Sequence, residues 1–199
     1  MKNSNKDVDL KEKLKQALSS TIRVISEDFI INNKKTEIRN NKKFDSFEIE
    51  KLDTDVDFIK ARADADSSAL KKKFSDEIIY RKNLPKNASC KLLYSIAERI
   101  RYESIGSKIL KGIKTNLKNN YNQVISLKRK DQLKSKDDVA VSEAFELYML
   151  KNFHNIELNH LTNKMLSFWE NDFNKSIGVH IKYLKESLES QYEYSSKFS

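Results

Sequence analysis

Three glycines and one proline in 199 residues leave little provision for tight turns, which argues against a β-sandwich or barrel. One cysteine, Cys90, excludes an internal disulfide framework and fits a reducing compartment. It precedes the apolar pair Leu92 and Leu93 and reads as a small helix residue, not a nucleophile. No apolar run approaches the length that spans a bilayer. The opening MKNSNKDVDLKEKLKQ has no signal-type apolar stretch, so a cytoplasmic chain is expected. Also missing are a G-x-x-x-x-G-K-[ST] phosphate loop, an H-E-x-x-H pair and any dense His/Asp/Glu cluster. A phosphate-loop nucleotide site and a zinc-type site are therefore not expected in the sequence. Of the three histidines, His154 and His160 do not share a helix face cleanly and His180 is isolated. All three read as surface or half-buried groups. Asp64, Asp66 and Asp76 could hold a cation, but spread over a Lys-rich helix they read first as solvated charges and caps. No catalytic, cofactor-binding or metal-binding residue is assigned to the chain.

What the sequence does have is charge. With 38 Lys and Arg against 29 Asp and Glu, the formal net charge is +9, a balance that invites a nucleic-acid reading. A phosphate-binding footprint is a concentrated patch. Here the basic residues are interspersed with acidic ones, apart from SLKRKDQLKSK at 126–136. Lys and Asn are abundant throughout, as an A+T-rich base composition alone would produce. Nucleic acid is not the expected main partner. A basic helical protein that binds RNA or DNA through 126–136 stands as the rival reading.

Periodicity predicts an all-α, multi-helix domain occupying 1–199, with a polar linker at about 118–137 between two helical halves. Asp9 and Glu12 form a candidate capping box, and Leu10, Leu14, Ala17, Leu18, Ile22 and Ile25 give an apolar helical face over Leu10–Glu27. Phe29–Ile31 and Phe47–Ile49 allow a small β-hairpin near residues 29–50. A second helix is expected from Asp53 or Asp55, carrying Ile59, Ala63, Ala69, Leu70, Phe74 and Ile78 and stopping short of Pro85. A third begins after Asn87 or Ser89. Beyond the linker come faces containing Phe145 and Tyr148, then Leu161, Met165 and Trp169, then Ile181, Leu184 and Leu188. Trp169, with Phe168 and Phe173, reads as core and not as a stacking platform for bases.

The stretch SIAERIRYESIGSKILKGIKTNL, residues 95–117, is the least ordinary part of the chain. On a helical wheel Leu93, Ile96, Ala97 and Ile100 cluster on one side, and Ile105, Ile109, Ile113 and Leu117 nearly opposite. Either the chain breaks near Gly106, or one long central helix buries different faces in its two halves. The second option gives Gly106 and Gly112 a reason, since glycine costs about 1 kcal/mol in a helix interior and lets a neighbouring backbone approach. Glu98 and Arg101 are an (i, i+3) pair. They suit an ordinary surface bridge, which composition favours, or a partly buried pair that fixes a loop or a partner.

The order Glu98, Arg101, Glu103, Ile105, Gly106, Gly112, Asn116, Leu117 resembles the E-x-x-R-x-E-x-[IL]-G-x(5)-G-x(3)-N-L pattern of the CobT family. Upstream, RADADSSALKKKFSDEIIYRKNLP is similar to that family's R-G-x-A-D-x-x-A-L stretch and its R-x-x-x-P ending, through Arg62, Ala65, Asp66, Ala69, Leu70, Asp76, Arg81 and Pro85. LKQALSSTIRVIS resembles the family's opening helix, and FELYML and SFWENDF fit more weakly. The family is a subunit of the aerobic, ATP-dependent cobaltochelatase, which inserts cobalt into a corrin ring in cobalamin biosynthesis. The resemblance implies a non-catalytic subunit, at most part of a ligase forming a nitrogen–metal bond. It would join a ring-forming AAA+ ATPase subunit to a large metal-inserting subunit. ATP, Mg and cobalt are implied for the whole complex only. As partner-binding or family-motif residues it implies Arg62, Asp66, Glu98, Arg101, Glu103, Gly106, Gly112 and Asn116. An adaptor of an AAA+ ATPase with a non-corrin client is the neighbouring alternative.

The sequence departs from the family at several points. Ala63 stands where the family commonly has Gly, and Ser75 and Tyr80 where it has His. Any metal or acid–base role of those histidines has no counterpart here. The family's C-terminal von Willebrand A-type domain carries a D-x-S-x-S cation motif, and no such motif occurs in this sequence. The expectation is an N-terminal region alone, as a truncated subunit or a split gene product.

Overall fold

The computed structural model describes residues 2–26, 52–127 and 133–198, with the side chains of residues 2–9 excepted. The fold is all-α: among the described residues there are ten α-helices and no strand. The hairpin expected near 29–50 lies outside the described residues, as do residues 128–132 of the basic stretch. The chain divides into two compact units, residues 1–73 and 74–199.

In the first unit, α1 (Lys2–Ser26) starts well before the expected Leu10. Asp9 is itself helical and so is not the N-cap. Nothing upstream breaks the helix, because neither Gly nor Pro precedes it. The second helix, α2 (Asp55–Phe74), opens on a capping box. The Asp57 carboxylate accepts from the Thr54 amide at 3.0 Å, while the Asp57 amide donates to the Thr54 hydroxyl at 3.2 Å. Ala61, Ala65 and Ala69 recur every four residues on α2 and meet Leu18 and Ile22 of α1, with Leu14, Ile25 and Leu52 at the margin. Small side chains on one helix and branched ones on the other let the two interlock as knob and groove.

The second unit is built around α4. After the end of α2 at Phe74, Ser75 and Asp76 interrupt the helix expected to continue through Ile78. The Asp76 carboxylate takes the amides of Ile78 and Ile79, at 2.7 and 3.2 Å, and so starts a new short helix, α3 (Glu77–Lys82). Asn87 does the same for α4 (Ala88–Ile109), accepting from Ser89 and Cys90. Every residue from Ile100 to Gly106 is buried, so over this stretch α4 is a core helix covered on all sides. It packs against α5 (Lys111–Ser126) and α6 (Val141–Phe153). Four short helices follow: α7 (His160–Ser167), α8 (Glu170–Ser176), α9 (Ile181–Glu186) and α10 (Gln191–Ser195). Trp169 sits half-buried among core aromatics, stacked on Phe173 with its indole N–H donating to Val139 O at 3.1 Å.

The central helix is shorter than 95–117 requires, because the chain leaves helical geometry at Leu110 (φ −123°, ψ 104°). The wheel's change of face therefore reflects two helices. Ile105 and Ile113 are both buried, but Ile109, the last residue of α4, is 62% exposed. The region expected as a linker begins as helix, since α5 continues to Ser126.

Candidate functional site

Arg101 is 1% exposed and lies in the middle of α4, where its charge has no water to stabilise it. Its guanidinium is bonded on every side. Nε and Nη2 donate to the two carboxylate oxygens of Glu98, each at 2.9 Å, a two-pronged pair one helical turn apart. Nη1 donates to Leu188 O at 2.8 Å, and Nη2 also reaches Phe74 O. Phe74 is the first residue of the second unit, so both carbonyls that take the cation belong to that unit. The Ser75 hydroxyl completes Glu98, donating to Oε1 at 2.6 Å. A buried ion pair repays its desolvation only when its remaining hydrogen-bonding groups are satisfied. Here they are. Composition favoured a surface bridge for this pair; the core position of α4 overrides it.

The same lock is reinforced from the C-terminal end. The Gln191 side-chain amide pairs with the backbone of Asp76 in both directions, accepting at 2.6 Å and donating at 3.2 Å. The buried Tyr194 hydroxyl donates to Ala97 O at 2.9 Å. Tyr80 stacks on Tyr94 with ring centroids 4.9 Å apart. So the two positions where the resembling family has histidine hold a hydroxyl bonded to Glu98 and a stacked phenol.

Glu103, 2% exposed, points away from this pair, because two residues along a helix turn the side chain by about 200°. It accepts a hydrogen bond from the Tyr121 hydroxyl of α5. Burial, and next the Glu103 charge, hold Tyr121 well above the ordinary phenol range, so it stays a protonated donor. Arg99 bridges to Glu146 of α6 at 2.6 Å. His154 lies beside this group, its ring 5.8 Å from that of Tyr121 and its Nε2 3.4 Å from the Ser104 hydroxyl. Burial first, and then the Arg99 charge, push the imidazole down to about 4, which makes it neutral near pH 7.

The remaining motif residues are dispersed. Gly106 is buried on α4. Gly112 is exposed in the first turn of α5, and a Cβ added there would meet nothing within 4 Å. Its expected role in close helix approach is therefore corrected. Asn116 is half-buried one turn further on. In the first unit Arg62 is exposed, whereas Asp66 is buried and not a solvated charge. Sequence reasoning missed Ser75, Arg99, Tyr121, Glu146 and Gln191. Ser75 and Asp76 carried a readable signal as a helix start; the others reach the site only through tertiary packing.

Chemically, the arrangement consists of ion pairs and helix-end contacts, with the Arg101–Glu98 pair bonded to both backbone and side chain. Among the described residues no three His, Cys, Asp or Glu side chains come together as a cation site, and no helix is long and apolar enough to cross a membrane. The family model described as cobalamin biosynthesis protein CobT matches residues 9–199. No curated protein and no solved structure matches the chain.

Proposed function

The chain belongs to the CobT family of cobalamin biosynthesis proteins, and from that premise we propose that it serves as a non-catalytic subunit of the aerobic cobaltochelatase. In this reading it joins the AAA+ ATPase subunit to the large subunit in which cobalt, the substrate metal, enters the corrin ring. ATP and Mg belong to the ATPase, because the chain has no phosphate loop of its own. The observation that carries the proposal is the family match over 9–199 together with the motif at 98–106, which is buried as a junction between helix ends and not displayed as a reactive cleft. Such a domain supplies shape, and shape is what a coupling subunit contributes when chemistry lies elsewhere.

The test is reconstitution. The purified chain, the AAA+ subunit and the large subunit from the same genome are mixed in pairs and all together. The expected result is a complex of the chain with the ATPase, and cobalt insertion that requires the chain. A chain that binds neither subunit and leaves insertion unchanged overturns the reading.

A further inference from the structure

A cavity of about 480 Å³ opens where α4, α5 and the ends of α6 and α9 converge. Its lining contains Lys108, Lys111, Lys114, Lys118 and Lys185 and not one Asp or Glu. Lys111, Lys114 and Lys118 fall on a single face of α5 and spread positive charge over about 10 Å of helix. None of the five pairs with a carboxylate among the described residues. Elsewhere the same unit does pair its cations, as Lys136 with Asp172 and Lys151 with Glu170. Five like charges around one hollow repel each other, and a bound anion relieves that repulsion.

Two further features lie at or beside the cavity. The Ser107 hydroxyl, part of the lining, is buried with no hydrogen-bond partner, so it is a donor awaiting an acceptor. Next to it, α5 begins at an apolar N-cap, Leu110, with no side-chain cap. That leaves the positive end of the helix uncompensated beside Lys111. The lining also includes Phe153, Leu188 and Asn155, the last in the left-handed region at φ 51° just past the end of α6.

We infer that this cavity is a binding site for a small polyanion, a ligand carrying several phosphate or carboxylate groups. Its volume suits a ligand of nucleotide or drug size. Ammonium point charges on flexible stems accommodate either anion, whereas the planar fork of Arg would prescribe one geometry. The inference stands independently of the chelatase reading, since it rests on the cavity alone.

Titration calorimetry of the full chain with inorganic tripolyphosphate and, separately, with citrate tests it. At least one should saturate a single site, and the tighter one assigns phosphate or carboxylate. Lys114→Gln/Lys118→Gln should weaken that binding by about ten-fold or more. Ser107→Ala should weaken it without altering the circular dichroism spectrum. The control pair Lys86→Gln/Lys91→Gln, exposed and outside the cavity, should leave it unchanged. The His154 ring resonances should move on addition of the ligand, because that side chain lines the hollow. Saturation by neither probe overturns the inference, as does equal weakening in the cavity and control pairs.

Discussion

Removing the Arg101 side chain would leave Glu98 buried as an unpaired carboxylate and strip two backbone carbonyls of their donor. Arg101→Met is therefore expected to destabilise the protein by about 3–5 kcal/mol. Glu98→Gln/Arg101→Met should recover part of that loss, since no lone charge remains. Urea unfolding of both variants measures the difference, and a double variant less stable than the single would contradict the pairing. His154 makes a second residue-scale prediction. Its unfolded form takes a proton near pH 6.5, while the folded form resists until about pH 4. The unfolded state thus binds more protons across that window, and stability falls as pH drops from about 6.5 toward 4, by about 3 kcal/mol in all. His154→Gln should flatten the profile there. That Glu98, Arg101 and Glu103 are unusual was legible, because charges punctuated an apolar wheel. Their partners were not, since Phe74 and Leu188 lie 27 and 87 residues from Arg101.

Element by element, periodicity finds helices well because a buried stripe leaves the same mark wherever it occurs. The apolar positions of α1, α2, α6 and α7 show it. Breaks are harder. Leu110 is an ordinary helix former in a run of helix formers, and only its extended backbone separates α4 from α5. A phase change on a wheel admits both a break and a twisted burial pattern, and periodicity does not choose. The two glycines that flank the break now part company. Gly112→Ala, exposed and helical with open space around it, should stabilise by about 0.4–1 kcal/mol through lost freedom in the unfolded chain. Gly106→Leu, buried in α4, should cost about 1–3 kcal/mol by overpacking. Thermal melts of the two variants should shift in opposite directions.

For the molecule as a whole, the family was legible from one motif and a few upstream matches, while the lysine cavity was not. Its five lysines come from three helices and acquire a common hollow only when α4, α5 and α9 meet. On the chelatase reading, the +9 charge does not mark the main partner. Association with duplex DNA should be weak and fall steeply with salt, near the nonspecific range of about 10⁻⁴ to 10⁻⁶ M. Capture of the AAA+ subunit should survive salt better, because a packed interface depends less on screened charges. A salt series in pull-down format, with duplex DNA and the ATPase as alternative baits, separates the two. Retention of DNA at salt that releases the ATPase would favour the basic-protein reading.

The bond from Arg101 to Leu188 spans 87 residues of chain. A ribosome adding about 5–20 residues per second needs roughly 4–17 s to make that interval. Throughout it Arg101 has Glu98 and the Phe74 carbonyl at hand, but the Leu188 carbonyl does not yet exist. The α4 network is complete only once Leu188 has been synthesised. Completion of the second unit is in this sense timed by residues 188–194 and not by α4 itself.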